Sequence, residues 1–75
     1  MLQVEVFKTN MDCSEKARQL LDRIHQHFIY CKANFDLEDC DRILRIVIHN
    51  GHVEIPAFIN WLQLAGCTAE VLIGD

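Results

Sequence analysis

Thiol and soft-metal chemistry in this chain falls to four cysteines, Cys13, Cys31, Cys40 and Cys67, with four histidines as further donors. The cysteines lie 18, 9 and 27 positions apart, with no CxxC pair and no dense framework. In a reducing compartment each is a thiol: a small core residue, a metal ligand or a reactive sulfur. His49 and His52 are three apart, which suits shared ligation, and His27 with Cys31 would complete a scattered zinc set. No CxxC supports that set, so solvated histidines are the simpler reading. The acidic turn Glu38-Asp39-Cys40-Asp41 has too few placed ligands and no glycine for a calcium loop. No Ser-His-Asp order, glycine-rich phosphate loop or paired buried carboxylate stands out, so no enzyme is expected.

Composition narrows the setting. The chain has 75 residues, 51% of them hydrophobic, with seven Lys and Arg against eleven Asp and Glu. That is one domain, 1–75, with one core and a stability on the order of 4–11 kcal/mol. The net charge of −4 argues against a nucleic-acid binder and against docking on an anionic membrane. No apolar run approaches ~18 residues, and Glu5 interrupts an N-terminus that lacks a basic flank, so neither a membrane span nor a signal peptide is expected. The expected location is cytoplasmic.

The elements that must position the cysteines follow from periodicity. Residues 2–8 alternate Leu2, Val4 and Val6 against Gln3, Glu5 and Phe7, a strand. Residues 13–28 repeat Ala17, Leu20, Leu21, Ile24 and Phe28 at helical spacing, with Asp12 as N-cap and Glu15 closing a capping box. Ala33, Phe35 and Leu37 line a second strand, and Leu44, Ile46 and Ile48 a third, joined as a hairpin. Ile55, Phe58, Ile59, Leu62 and Ala65 form one face of a second helix. Pro56 sits in its first turn and Gly66 stops it. Residues 68–73 close the chain as a strand, with Ala69, Val71 and Ile73 inward. The order strand-helix-strand-strand-helix-strand predicts an α+β, ferredoxin-like βαββαβ sandwich: a four-stranded antiparallel sheet with two helices on one face.

Alternating chain direction then sorts the chemistry by pole. Cys13, Cys40 and Cys67 fall at one end, and Cys31, His27, His49 and His52 at the other. Cys13 and Cys67 flank the two crossover links and are the expected neighbours, while Cys40 sits further out on the hairpin tip. Cys13 lies at a helix start, where free N–H groups and Lys16 favour a thiolate and Asp12 opposes it. On the open sheet face, Phe7, Ile43, Val47 and Leu72 are expected among Glu5, Asn34, Asp36, Arg45 and Glu70. That is more apolar surface than a wet face needs, and a surface for self-association or a partner protein. Trp61 is expected to be partly exposed on the second helix.

The stretch Asn10-Met11-Asp12-Cys13-Ser14-Glu15-Lys16 resembles the metal loop of heavy-metal-associated (HMA) domains, copper chaperones among them, whose motif is Met-x-Cys-x-x-Cys. Met11 matches the methionine that packs under the loop and Cys13 the first ligand. Lys16 stands where the second cysteine belongs. Leu20, Ile24, Asn34-Phe35-Asp36-Leu37 and Ala65-Gly66-Cys67-Thr68-Ala69-Glu70-Val71-Leu72 are similar to the family's helix, second strand and close. The resemblance covers essentially the whole chain and implies the same fold. It also implies binding or trafficking of a soft ion such as Cu(I), with a metal-transport protein as partner. The departure at Lys16 leaves a non-standard site. Cys67 would replace the lost ligand, Cys13 and Cys67 would form a two-coordinate thiolate pair, and Cys40 would be a third donor if it reaches. Met11 and Lys16 would support the loop, the lysine offsetting negative charge. The alternatives are a metal-free interaction or regulatory module, and a thiol redox switch in which Cys67 resolves Cys13.

Overall fold

The computed structural model describes residues 2–38 and 42–72. Its elements are β1 (Gln3–Thr9), α1 (Ser14–His27), β2 (Cys31–Asp36), β3 (Ile43–Ile48), α2 (Ile55–Leu64) and β4 (Ala69–Val71). The strands form one sheet in the order β2-β3-β1-β4, antiparallel at every pairing. Both helices place their apolar stripes on the same side of it. Ala17, Leu20 and Ile24 of α1 and Phe58 and Leu62 of α2 share one core with Leu44, Ile46 and Ile48 of β3. The fold is the ferredoxin-like sandwich that the element order requires. No helix among the described residues is long and apolar enough to cross a membrane.

The helix boundaries follow local chemistry. Pro56 occupies the first turn of α2, where its missing N–H costs nothing. Beyond the last turn, Gly66 takes φ +95°, a left-handed conformation that carries a penalty for any residue with a Cβ. The start of α1 differs from expectation. Cys13, not Asp12, is the N-cap, and it makes no side-chain capping bond. Asp12 is one position too early, so the capping box with Glu15 does not form.

The larger correction concerns β1. Expectation put Leu2, Val4 and Val6 inward and Phe7 on the open face. In the structure Phe7 is 0% exposed and its ring lies 5.4 Å from that of Phe58. Cross-strand pairing sets Phe7 beside Leu44, which in turn faces Phe35, so all three share the helix-covered side. Because side chains alternate along a strand, Val4 and Val6 are then forced outward, with Val4 49% exposed. The physical reason is the size of the prize. Burying one phenylalanine against an aromatic cluster outweighs the partial burial of two valines, since the gain scales with apolar area at ~25 cal/mol per Å².

Gln3 and Glu5 consequently lie on the covered side, and both are accommodated at its rim. The Gln3 amide donates to Glu5 Oε2 at 3.1 Å and to the Val53 carbonyl at 3.3 Å, while its Oε1 accepts the Val53 N–H at 3.2 Å. The link into α2 thus satisfies what the helices do not cover. Among the open-face residues named from sequence, Ile43, Val47 and Leu72 stay there by register, although Ile43 is 7% exposed. Phe7 and Glu5 do not. Ile73 and Cys40 lie outside the described residues.

Candidate functional site: the Cys13–Cys67 pole

Two loops build this end of the molecule, and they are bonded to each other. The Asn10 N–H donates to the Thr68 carbonyl at 3.3 Å, and the Thr68 N–H donates to Asn10 Oδ1 at 3.1 Å. The β1–α1 link that carries Cys13 is therefore held against the α2–β4 link that carries Cys67. Thr9, itself buried, ties in two more segments. Its hydroxyl donates to the Arg42 carbonyl at 2.6 Å and accepts the Met11 N–H at 3.2 Å. Met11 is buried at 7% exposure beneath the loop.

The two cysteines are not equivalent. Cys13 is half-buried at the N-cap of α1, and its carbonyl accepts the Ala17 N–H at 2.9 Å. Cys67 is 1% exposed and belongs to the hydrophobic core. Its N–H donates to the Leu62 carbonyl at 2.9 Å and its thiol is directed at the Thr68 carbonyl, 3.7 Å away. Burial pushes the Cys67 thiol up, and the neighbouring Thr9 hydroxyl only partly offsets that. Both sulfurs are free thiols. Among the described residues no group of three or more His, Cys, Asp and Glu side chains is arranged to hold a metal ion. Lys16 is exposed and lines a cleft with Asp12, Gln19 and Arg23.

At the opposite pole the scattered histidines go separate ways. Cys31 is a core residue at 4% exposure, its thiol also pushed up by burial. His27 stacks on Trp61 with ring centroids 5.4 Å apart, and Phe28 meets Trp61 edge-on at 5.3 Å. His52 lies 3.6 Å from a Glu54 carboxylate oxygen at the surface. His25, as its two-residue offset from His27 requires, faces elsewhere: its Nε2 accepts the Ala33 N–H at 3.0 Å. That bond covers a backbone donor on the outer edge of β2, an edge strand of the sheet.

Three roles escaped the sequence reading. Thr9 lies one position past the strand read over residues 2–8, and nothing in its neighbours signals a junction. His25 reads as a surface histidine, because the edge it caps exists only after β2 has paired. The stripe of Lys16, Gln19 and Arg23 was legible in principle, since positions three and four apart share one face of a helix.

Comparison of the chain with protein-family models, curated proteins and solved structures returns no match. The chemistry of this pole has to be judged on its own residues. A sealed thiol bonded toward a carbonyl is a poor thiolate donor, because a soft-metal ligand must shed its proton and be reached.

Proposed function

We propose that the chain is a small HMA-like protein-interaction module that has kept the sandwich without a dedicated ion site. Its docking surface is the open face of the sheet. The observation that supports this reading is the apolar patch formed there by Val4, Val6, Val47 and Leu72. Val4 pairs with Val47 across β1 and β3, and the Leu72 N–H donates to the Val6 carbonyl, which sets these side chains side by side. Val4 is 49% and Leu72 38% exposed, on a side to which neither helix contributes its apolar stripe.

The patch is flanked by both signs of charge, Lys32 and Arg45 against Asp36 and Glu70. Lys32 and Asp36 sit at opposite ends of β2. Two copies placed face to face with strands reversed would bring unlike charges together, so a second copy is the first partner to test. Sedimentation velocity over a concentration series carries the test. The native chain is expected to associate reversibly, and a Val4→Glu, Val47→Glu double variant to stay monomeric. A native chain that sediments as a monomer throughout would overturn self-docking.

One observation favours the metal reading enough to keep it as the alternative: hydrogen bonds clamp the two loops that bear Cys13 and Cys67. Anaerobic Cu(I) competition against a chelator separates the two. Equal, weak retention by the native chain, Cys13→Ser and Cys67→Ser supports the metal-free module. Loss in both variants would restore the thiolate pair.

A further inference from the structure

A cavity lies between α1 and the loop that follows α2, away from the open sheet face. It measures 490 Å³, within the range of small-molecule sites, and Lys16, Gln19 and Arg23 of α1 form one wall. Met11 and Leu20 lend it an apolar floor, and Gly66 closes the end where α2 stops. On a chain of net charge −4, two cations in one concavity stand out. Neither is in ion-pair contact with a carboxylate among the described residues.

Helix geometry explains why they can act together. Lys16 and Arg23 are seven positions apart, about 10 Å along the axis, with Gln19 between them on the same stripe. Both side chains are long enough to converge over Gln19, whose amide adds a donor. Asn10, another lining residue, has its Oδ1 engaged by the Thr68 N–H, so its NH2 is the group left to offer. The one acidic lining residue, Asp12, belongs to the loop before α1, eleven positions from Arg23.

We infer that this cleft is a binding site for a small molecule bearing an oxyanion, a phosphate or a carboxylate. Lys16 supplies a point charge, Arg23 a planar fork that matches either head group, and Gln19 a neutral donor between them. Met11 and Leu20 would receive the apolar part of the ligand. The inference does not depend on the sheet face or on any metal.

The experiment is a ¹H–¹⁵N titration of the full chain with sodium phosphate and, separately, sodium acetate, at constant ionic strength set by chloride. Saturable shifts are expected at residues 10–23 and at Gly66. Arg23→Gln and Lys16→Gln should each weaken binding about tenfold. Arg18→Gln removes the same charge from α1 without touching the cleft, since Arg18 faces Phe35 and Leu37 on the other side, and it should leave the affinity within about twofold. Tighter phosphate assigns a phosphoryl head group and tighter acetate a carboxylate, and either upholds the site. Shifts that never saturate, or an Arg18→Gln loss equal to that of Arg23→Gln, would reduce the effect to general charge and overturn it.

Discussion

On the helix side of the sheet Phe7, Leu44 and Ile46 are 0% exposed and Ile48 1%, whereas on the other side Val4 is 49% exposed and Leu72 38%. Both sides carry apolar side chains, the open one among Lys32, Asn34, Asp36, Arg45 and Glu70. What separates them is the covering, and β1 makes this plain, because successive residues of one strand face the two environments. The lesson is that pattern alone does not say which of two apolar sets turns inward. Leu2, Val4 and Val6 alternate as well as any core strand. The decision falls to Phe7, because only the inward register lets its ring meet Phe58 and sit beside Leu44.

The largest expected effect follows from that contrast. Phe7→Ala should lower unfolding free energy by about 3–5 kcal/mol, a large fraction of the stability expected for a domain of this size. Val4→Ala, a smaller truncation at a half-exposed position, should cost under about 1 kcal/mol. Urea titrations of the two variants measure both. Similar losses would mean that the two sides are not distinguished as described.

The cysteines sharpen the same comparison. Cys67 lies within the covered core and Cys13 at its rim. Cys67→Ser introduces a buried hydroxyl that prefers water, and should destabilise by about 1–3 kcal/mol. Cys13→Ser should do the opposite. The N-cap of α1 has no side-chain capping bond, and serine is among the best residues there, so a gain of about 0.5–1 kcal/mol is expected. Opposite signs for one chemical change, read from thermal or urea unfolding, would mark one cysteine as packing and the other as a poorly capped helix start.

Alkaline pH offers an independent check on burial. The Cys31 and Cys67 thiols are both pushed up by desolvation in the fold. Below the ordinary thiol pKa of ~8.5 they are neutral in folded and unfolded chains alike, and their contribution is intact. Above it the unfolded chain ionises first, so stability falls until the pH passes the raised folded values. The urea midpoint should therefore drop on the alkaline side, and the drop should be shallower in a Cys31→Ala, Cys67→Ala variant. Equal slopes in native and variant chains would contradict the burial of these sulfurs.

How much of this was legible beforehand depends on whether a feature is local. Element order, the inward sides of β2 and β3, the first-turn place of Pro56 and the stop at Gly66 all come from short-range pattern and backbone chemistry, and the structure has them where the sequence reading put them. The grouping of Cys13 and Cys67 at one end followed from chain reversal, and the Asn10–Thr68 bonds join the loops that bear them. The depth of Cys67 did not follow, since depth depends on what packs above a residue. The register of β1 was misjudged for the same reason: two apolar alternations competed, and only the tertiary partner of Phe7 chose between them. Thr9 and His25 acquire their roles from residues 33 and 8 positions away, which no local window sees.

The smallest expected effect lies at the sheet's outer edge, where covering ends. Edge strands present unpaired backbone groups, and β2 meets this partly through α1: the Cys31 N–H donates to the Phe28 carbonyl at 3.0 Å and the Ala33 N–H to His25 Nε2 at 3.0 Å. The second bond requires a neutral imidazole with its proton on Nδ1, because a protonated ring has no acceptor left. His25→Leu removes the acceptor and keeps comparable bulk. Its cost should be only about 0.5–1 kcal/mol, since the imidazole is exposed and water can take over part of the bond. The informative readout is hydrogen exchange at Ala33. Its amide should exchange faster in His25→Leu while the Ala17 amide, bonded within α1 to Cys13, stays protected. Unchanged exchange at Ala33 would show that β2 is shielded by the sheet alone, and that the contrast between covered and open regions stops short of this edge.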